Sequence, residues 1–351
     1  MTLLTDIGLR AVRALDPERA HRVALRGLRA GLVPGWQDAL PGVLRTKVLG
    51  FDLAHPLGLA AGFDKNAEAV GPLFKCGLSF VEVGAVTPRA QYGNLKPRLF
   101  RLSEDEAAIN RFGFNNDGVE AVRERLFLKA HPARGPVGIN LGANKTSTDR
   151  TADYVTVLTR LADCADFFTI NVSSPNTKGL RDLQGRAALD ELIVAVTEAR
   201  DVHAGEKPLM LKLAPDLSDE QLVDVVEVCM EREIDAIVAT NTTLDRSGLR
   251  SDHRDEAGGL SGQPLFEKST AILRRIAEIT EGKTPLIGVG GVGSAEQAYA
   301  KIRAGASLVQ LYTALSYHGM DLVPQIVKGL AKLLERDGFN TIADAVGADI
   351  K

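Results

Sequence analysis

The feature that most constrains the fold of this chain is a series of eight short apolar runs, at residues 57–61, 80–86, 137–141, 167–172, 209–213, 236–239, 286–289 and 308–311. Segments with helical patterning lie between many of them, at residues 151–162, 187–203, 219–232 and 321–336, and several begin with Ser or Asp caps. Strands that alternate with helices build a parallel sheet, and eight such units favour a closed barrel over an open sheet. We therefore predict an α/β fold, a (β/α)8 TIM barrel with a two-helix extension at the N-terminus.

The length of the chain leaves room for more than the barrel. At 351 residues it exceeds the number that such a barrel needs, which is about 250. We assign residues 46–351 to the barrel and residues 1–45 to a separate helical module. Two stretches, 87–116 and 242–269, are longer than simple connections. Because long loops on the catalytic face of a barrel carry substrate contacts or lids, we predict that both border the site.

Residues 1–45 have the pattern of two short amphipathic helices. Apolar residues repeat at helical spacing from Leu3 to Leu15, and Asp16 and Pro17 begin a second helix that extends to about Arg29. This segment carries seven basic and four acidic residues, a net charge of +3, which leaves −6 for the rest of the chain. Such a basic pair suits contact with an anionic membrane surface. A hairpin that only caps the barrel, with arginines as a solvated face, is the alternative. The arginines that share one face of the second helix are Arg19, Arg22, Arg26 and Arg29.

Composition excludes several classes of protein. A net charge of −3 argues against a general nucleic-acid binder. Cys76, Cys164 and Cys229 lie far apart without metal-ligand spacing, so we predict packed thiols in a reducing compartment and no metal site. No apolar run approaches the length of a membrane span, about 18 residues, and no signal peptide is evident. We therefore expect a soluble or peripheral protein.

The residues at the strand exits indicate a ligand site. The stretch 167–177 begins as a buried strand and ends in a polar cluster that a core would not contain. All the carboxyl ends of barrel strands meet at one face, which is where such barrels bind ligands. Because every one of the eight exits is polar or glycine-rich, we predict a site there. In chain order the exits carry Lys65, Thr87, Asn140 with Asn144, Asn171 with Ser174, Lys212, Thr240 to Thr242, the glycines of 288–291, and Tyr312 with Thr313.

These residue types indicate the chemistry of the ligand. Lys65 and Lys212 would be cations in a confined mouth, where an anionic ligand compensates an ammonium; the alternative is pairing with Asp64 or Asp216. Converging asparagine amides suit a flat heterocycle with alternating C=O and N–H groups, although each amide could instead cap a loop. The glycine-rich turn at 288–293 precedes a capped helix and favours a phosphate. We therefore predict a phosphorylated cofactor. The asparagines concerned are Asn110, Asn140, Asn171, Asn176 and Asn241.

Eight distinctive motifs are spread along the chain. They are LAAGFDK at 59–65, VTPR at 86–89, KPRLFR at 96–101, INRFGFN at 109–115, INVSSPNT at 170–177, ATNTTLD at 239–245, GGLSG at 258–262 and GVGG at 288–291. Together with DPERAH at 16–21 they resemble class 2 dihydroorotate dehydrogenases over essentially the whole chain. The resemblance implies an FMN-dependent enzyme of pyrimidine biosynthesis. Such an enzyme oxidises (S)-dihydroorotate to orotate and passes the electrons to a membrane quinone, ubiquinone or menaquinone.

The resemblance also assigns residues to each ligand. It implies FMN contacts for Ala61, Gly62, Lys65, Asn140, Asn171, Lys212, Thr240, Gly262, Gly291, Tyr312 and Thr313. It implies contacts with dihydroorotate and orotate for Lys65, Asn110, Arg111, Phe112, Gly113, Phe114, Asn171, Asn176, Asn241 and Thr242. Ala85 stands where the family commonly has Ser or Thr, so one hydroxyl contact with the flavin is missing, worth on the order of 1 kcal/mol.

Ser174 matches the family's catalytic base. It would take the C5 proton of dihydroorotate while C6 delivers hydride to flavin N5. A serine hydroxyl is a poor base by itself, so it needs a relay, such as a water held by a neighbouring threonine. Lys212 would stabilise the anionic reduced flavin. Class 1 enzymes resemble this barrel but use a cysteine base and lack the leading helices. None of the three cysteines of this chain lies in the serine loop, the segment after the fourth strand that carries Ser174.

The resemblance changes the interpretation of the first 45 residues to a quinone-access module. His21 and Arg101 match positions that the family places near the quinone tunnel, although His21 could instead be an ordinary helix-surface histidine. The resemblance further implies a monomer that binds peripherally to an anionic membrane at the cytoplasmic face of a bacterial cell. Two other functions stay open at this point. One is a class 1 enzyme that reduces fumarate or NAD, and the other is a non-catalytic barrel that binds a phosphorylated ligand.

Overall fold

The computed structural model describes residues 8, 11–33, 35–36, 38–128, 135–177 and 179–350. Within them, eight parallel strands form a closed barrel. The strands are β3 Leu57–Leu59, β4 Val81–Val86, β7 Val137–Leu141, β8 Phe167–Asn171, β9 Leu209–Leu213, β10 Ala236–Ala239, β12 Leu286–Val289 and β13 Ala306–Leu311. Around the barrel their order is β10-β12-β13-β3-β4-β7-β8-β9. The predicted barrel is therefore confirmed, and the strand ends differ from the predicted ones by at most two residues.

Helices connect the barrel strands, and the four predicted segments are helical with ends shifted by at most one residue. Local caps explain where two of them begin. Asp149 accepts a hydrogen bond from the Ala152 N–H, and Ser218 forms a reciprocal capping box with Gln221. The helices are α2 Val70–Lys75, α3 Val119–Leu128, α4 Arg150–Leu161, α5 Arg186–His203, α6 Asp219–Glu231, α7 Phe266–Ile279, α8 Ala295–Arg303, α9 Thr313–His318 and α10 Leu322–Asp337.

The barrel interior is apolar at the amino end of the strands and polar at the carboxyl end. Phe80, Phe167, Met210 and Leu308 belong to the apolar cluster at the amino end. A hairpin that the sequence did not predict, β1 Thr46–Val48 with β2 Phe51–Leu53, packs Leu53 into that cluster. Burial of this end leaves the carboxyl end as the accessible opening.

The two long connections contain a small antiparallel sheet that the sequence did not predict. Strands β5 Leu99–Leu102 and β6 Ala107–Asn110 come from the first connection, and β11 Gly259–Gly262 comes from the second. The hydroxyl of Tyr317 donates to the carbonyls of Ala107 and Leu102 at 2.6 and 3.1 Å. These contacts hold the sheet against α9 at the carboxyl end of the barrel.

The second predicted N-terminal helix is present as α1, Pro17–Arg29, and it begins where Asp16 accepts the N–H of Arg19. It buries Ala20, Leu25 and Leu28 against the barrel. Its four arginines, Arg19, Arg22, Arg26 and Arg29, are exposed. Residues 8 and 11–13 are helical, and the rest of the pattern proposed from Leu3 to Ile7 lies outside the described residues. In the part of the chain that the structure describes, no helix combines the length and hydropathy needed to cross a membrane.

Candidate active site

A cavity of about 730 Å³ lies at the carboxyl end of the barrel and continues to the N-terminal helix. Lys65, Asn171 and Lys212 line it on the barrel side, whereas Ala20 and Ala24 of α1 line it on the helix side. The strand exits predicted to hold a ligand and the helical module therefore share one space. The lining is mainly apolar towards the helix, with its hydrogen-bonding groups concentrated at the barrel mouth.

A chain of hydrogen-bonded amides crosses the barrel mouth. It begins at Glu82, whose Oε1 accepts from Asn140 Nδ2 at 2.6 Å. Asn140 Oδ1 accepts from Asn171 Nδ2 at 2.7 Å, and Asn171 Oδ1 accepts from Asn241 Nδ2 at 3.2 Å. Asn241 also donates to Ser173 Oγ at 2.9 Å. Three asparagines that the sequence placed at separate strand ends therefore form one array. Two of them also cap their loops, because Asn171 Oδ1 accepts the Ser173 N–H at 3.3 Å and Asn241 Oδ1 accepts the Thr242 N–H at 2.7 Å.

Glu82 sets the direction of this array, and sequence reasoning missed it. Its side chain is fully buried, and its second oxygen accepts from Gln310 Nε2 at 2.6 Å. Because a carboxylate only accepts hydrogen bonds, Asn140 must present its NH₂ to Glu82 and its carbonyl to Asn171. Among the described residues, the second side-chain atom of Gln310, Oε1, is buried without a hydrogen-bond partner. A single carboxylate inside the otherwise apolar strand Val81–Val86 was the signal that could have identified it.

Lys212 and Lys65 both reach the cavity without the acidic partners considered above. Lys212 is 5% exposed, and among the described residues its ammonium has no hydrogen-bond partner. Burial lowers the pKa of Lys212, and the charge of Glu82 opposes that shift. Lys65 donates to the Gly62 carbonyl at 2.6 Å and lies 4.3 Å from the centre of the Phe112 ring. Burial lowers its pKa to about 8. Lys212 is buried and Lys65 is half-buried, and two such cations without a carboxylate partner favour a ligand that carries negative charge.

The acids that could have paired with these lysines have other partners. Asp64 accepts the main-chain N–H groups of Glu68 and Ala69 at 2.8 and 2.7 Å. Asp216 accepts from Arg181 and Lys268, which lie outside the barrel strands. The pairing alternatives for Lys65 and Lys212 are therefore wrong.

Ser174 lies in the cavity wall and is 7% exposed. Its Oγ accepts the N–H of Asn176 at 3.3 Å, and the described residues offer its hydroxyl no other hydrogen bond. Asn176 Nδ2 in turn donates to Asn110 Oδ1 at 3.2 Å. Hence Ser174 and two of the predicted substrate-binding amides line the same wall, but Ser174 has no protein base beside it.

Arg181 holds the serine loop in place, a role that the sequence did not reveal. Its guanidinium donates to the Ser173 carbonyl at 3.2 Å, to the Thr242 carbonyl at 3.3 Å and to Asp216 at 3.0 Å. One side chain therefore connects the exits of β8, β9 and β10. This arrangement fixes the distance between the loop that carries Ser174 and the loop that carries Thr242.

Most of the other predicted site residues lie where expected, with one exception. Arg111 turns its side chain away, because its guanidinium donates to Glu256 at 2.7 Å and covers the Phe100 ring. Arg111 can therefore act on a ligand only through its main chain. Residues that do line the cavity include Ala61, Gly62, Ala85, Asn110, Phe112, Gly113, Phe114, Asn176, Asn241, Thr242, Tyr312 and Thr313.

A smaller cavity of about 90 Å³ adjoins the large one at the glycine-rich turn. Thr240, Gly262, Gly291 and Thr313 line it. Gly291 has φ of +72°, and a Cβ added there would lie 2.4 Å from Cβ of Phe266. A Cβ on Gly262, where φ is +101°, would lie 2.4 Å from a main-chain oxygen. Gly262, Gly290 and Gly291 therefore border part of this space with main chain that no side chain covers, which fits a phosphate group.

His21 and Arg101 lie at the helix side of the large cavity. The His21 ring packs against Phe63 and Tyr312, with centroid distances of 5.2 and 6.1 Å. Burial lowers the pKa of His21 to about 3, so its ring is neutral at physiological pH. Arg101 donates to the Arg13 carbonyl at 2.6 Å. The alternative that His21 is an ordinary surface histidine is therefore wrong.

Comparisons with known proteins agree with this architecture. Residues 43–334 match the family model described as dihydroorotate dehydrogenase. A protein of Cereibacter sphaeroides (strain KD131 / KCTC 12085) named dihydroorotate dehydrogenase (quinone) is 56% identical over 347 residues, which is 99% of this chain and 98% of that protein. One of the same name from Rhodospirillum rubrum is 52% identical, with 95% of this chain and 92% of that protein covered. The solved structure of ligand-free DHODH from Eimeria tenella has a TM-score of 0.92 at 38% identity, over 96% of this chain and 100% of that one.

Proposed function

The chain belongs to the dihydroorotate dehydrogenase family, and we propose that it is the quinone-dependent enzyme that oxidises (S)-dihydroorotate to orotate in pyrimidine biosynthesis. The observation that carries this proposal is the continuous cavity from Ser174 at the barrel mouth to Ala24 of α1. Such a space can admit a polar substrate at one end and an apolar electron acceptor at the other. The serine at position 174 and the leading helices both depart from the class 1 pattern.

The residues at the barrel mouth fit FMN as the cofactor. The ammonium of Lys212 is buried without a hydrogen-bond partner among the described residues, and three glycines, Gly262, Gly290 and Gly291, border part of the small cavity beside it. When bound, the flavin supplies two-electron redox chemistry that links the substrate to the quinone. The residues proposed to hold it are Ala61, Gly62, Lys65, Asn140, Asn171, Lys212, Thr240, Gly262, Gly291, Tyr312 and Thr313.

Ser174 is proposed to remove the C5 proton of dihydroorotate. The Asn176 N–H donates to the Ser174 hydroxyl oxygen and so occupies one of its acceptor positions. The hydrogen bond from Arg181 to the Ser173 carbonyl holds the loop that carries Ser174 in place. Because the hydroxyl has no other partner among the described residues, its own proton is free to pass to a relay such as a water held by a neighbouring threonine. Lys65 and Asn110 lie on the cavity wall, where an ammonium and an amide can bind the carboxylate and ring edge of the substrate.

Residues 1–45 are proposed to form a module that admits the quinone and touches the membrane. The apolar side chains of α1 line the cavity while its arginines are exposed, an arrangement suited to the boundary of an anionic membrane. His21 and Arg101 would contact the quinone at this end. We propose a peripheral monomer at the cytoplasmic face of the cell membrane.

Turnover of dihydroorotate with a soluble quinone tests the proposed function. We expect a yellow protein whose flavin absorbance is bleached rapidly by dihydroorotate and restored by quinone, with fumarate and NAD as poor acceptors. Protein without flavin, or flavin that dihydroorotate cannot bleach, would contradict the proposal. A non-catalytic barrel would give that result.

An Ala24→Phe substitution tests the quinone path. Ala24 lines the helix side of the cavity, so a benzyl group there narrows the space. The ring would compete with the quinone for this space, so we expect quinone-dependent turnover to fall about tenfold, which corresponds to about 1.4 kcal/mol. Bleaching of the flavin by dihydroorotate should stay unchanged, because that reaction occurs at the other end.

The matched control is Ala30→Phe on the exposed end of the same helix. Stopped-flow measurement of the two half-reactions separates the effects. Equal quinone rates in the Ala24→Phe and Ala30→Phe variants would rule out this path.

A further inference from the structure

A lysine outside the cavity lies buried behind the glycine-rich turn. Lys301 of α8 is fully buried, and its Nζ donates to Ser269 Oγ at 2.8 Å and to Thr270 Oγ1 at 2.9 Å. Ser269 Oγ also lies 3.1 Å from the carbonyl of Gly290, which lines the small cavity. Only one hydroxyl therefore separates the ammonium of Lys301 from the turn proposed to bind phosphate.

Burying the ammonium of Lys301 destabilises the protein when no ligand is bound. No carboxylate within the described ranges forms an ion pair with Lys301, and an ammonium without a counter-ion is expensive to bury. Ser269 and Thr270 also belong to the first turns of α7, where the helix dipole repels positive charge. The Phe266 ring, 5.3 Å from Nζ, offsets only part of this cost. An anion held in the small cavity would offset both the cost of burying the ammonium and its repulsion by the helix dipole.

We propose that Lys301 is a buried electrostatic partner of the cofactor phosphate, acting through Ser269 and the Gly290 turn without touching the ligand. This inference rests on the proposed function, because it assumes a flavin nucleotide in the barrel mouth. In this proposal, the charge of Lys301 makes the protein bind FMN more tightly than the uncharged riboflavin. Removal of the positive charge should weaken the binding of FMN but not that of riboflavin, since riboflavin has no phosphate.

The binding of FMN should therefore depend on pH through the charge of Lys301, whereas that charge should not affect the binding of riboflavin. Burial lowers the pKa of Lys301 to about 7, and the exposed carboxylate of Glu267 opposes this shift. A bound phosphate dianion favours the protonated ammonium and raises that pKa. FMN should therefore bind most tightly below pH 7 and more weakly as the pH rises from 7 to 9. Other charged groups that line the two cavities, among them Lys65, Lys212 and Glu106, are the same in wild type and in a variant that lacks Lys301, so the difference between the two pH profiles isolates Lys301.

The test compares Lys301→Met with wild type as the full-length chain freed of flavin. Flavin fluorescence quenching gives the Kd for FMN and for riboflavin from pH 6.5 to 9. Methionine keeps the volume of the side chain, and the Ser269 and Thr270 hydroxyls retain acceptors in Gly290 and Phe266. At pH 6.5 we expect the Kd for FMN to rise about 10- to 100-fold, as for one charge acting on a dianion at an effective dielectric constant of about 20. The Kd for riboflavin should stay unchanged.

The control is Lys283→Met, which removes the same charge from an exposed lysine that pairs with Glu281. It should leave both constants unchanged. An equal loss of FMN and riboflavin binding in Lys301→Met, or no loss for FMN, would overturn the role of Lys301.

If Lys301→Met does not fold, Ser269→Ala decides, because it removes the hydroxyl that joins Lys301 to the Gly290 carbonyl. An equal change in the Kd of FMN and of riboflavin in that variant would also overturn the role of Lys301. Wild-type protein that binds neither flavin would instead overturn the proposed function, and the inference with it.

Discussion

Replacing Ser174 with alanine is expected to slow the reduction of bound flavin by dihydroorotate about 10²- to 10⁴-fold. That range is the usual contribution of a positioned general base. The substitution removes the serine hydroxyl that accepts the Asn176 N–H in the cavity wall, and it leaves the other lining residues unchanged. The rate of absorbance loss after rapid mixing with dihydroorotate measures the effect.

Two controls separate chemistry from damage to the fold. Flavin that has been reduced with dithionite should be reoxidised by quinone at the wild-type rate in Ser174→Ala, because the quinone is proposed to enter beside α1. The substitution Ser103→Ala, at an exposed serine of the β5–β6 connection, should change neither half-reaction. If Ser174→Ala reduced its flavin within about threefold of wild type, Ser174 would not be the base.

The second large effect is expected for Lys212→Met. The ammonium is the positive charge buried at the base of the cavity, and removing one preorganised electrostatic group costs about 10²- to 10³-fold in rate. Flavin reduction by dihydroorotate should slow by that factor. The midpoint potential of the bound flavin should also fall, since a nearby cation favours the negative charge acquired on reduction. Spectroelectrochemistry measures the potential directly.

The structure offers a matched control for this substitution in the segment that leads into the same strand. Lys207 lies just before β9 at the opposite end of the barrel, where its ammonium donates to the carbonyl of Ala162. Lys207→Met should leave both the rate and the potential at wild-type values. An unchanged potential in a Lys212→Met protein that retains its flavin would contradict the proposed role of Lys212.

Much of the fold was predictable because each strand of a closed parallel barrel is buried on both faces. Such strands are continuous apolar runs, and they can be recognised one at a time. The sheet formed by β5, β6 and β11 escaped prediction, because Gly259–Gly262 pairs with Ala107–Asn110 of a different connection. Neither segment contains a local sequence pattern that predicts this pairing. The same limit applies to the hairpin that packs Leu53 into the barrel.

The sequence by itself determined the barrel, the polar rim and, through its motifs, the family. It also located Ser174, Lys65 and Lys212 at strand ends, because the end of a strand is a local property. Only the tertiary structure decided which groups meet there. Glu82, Asn140 and Asn171 come from three different strands, and the direction of their amides follows from the single carboxylate at one end.

The direction of individual side chains was likewise decided only in three dimensions. Arg111 lies within a predicted substrate motif, yet Glu256 from a distant loop draws its guanidinium away from the cavity. Lys301 lies in an ordinary amphipathic helix, and only its packing behind Ser269 makes it a buried cation near the glycine turn. Hydrogen bonding and burial depend on partners that are remote in the chain, so neither can be read from local residue patterns.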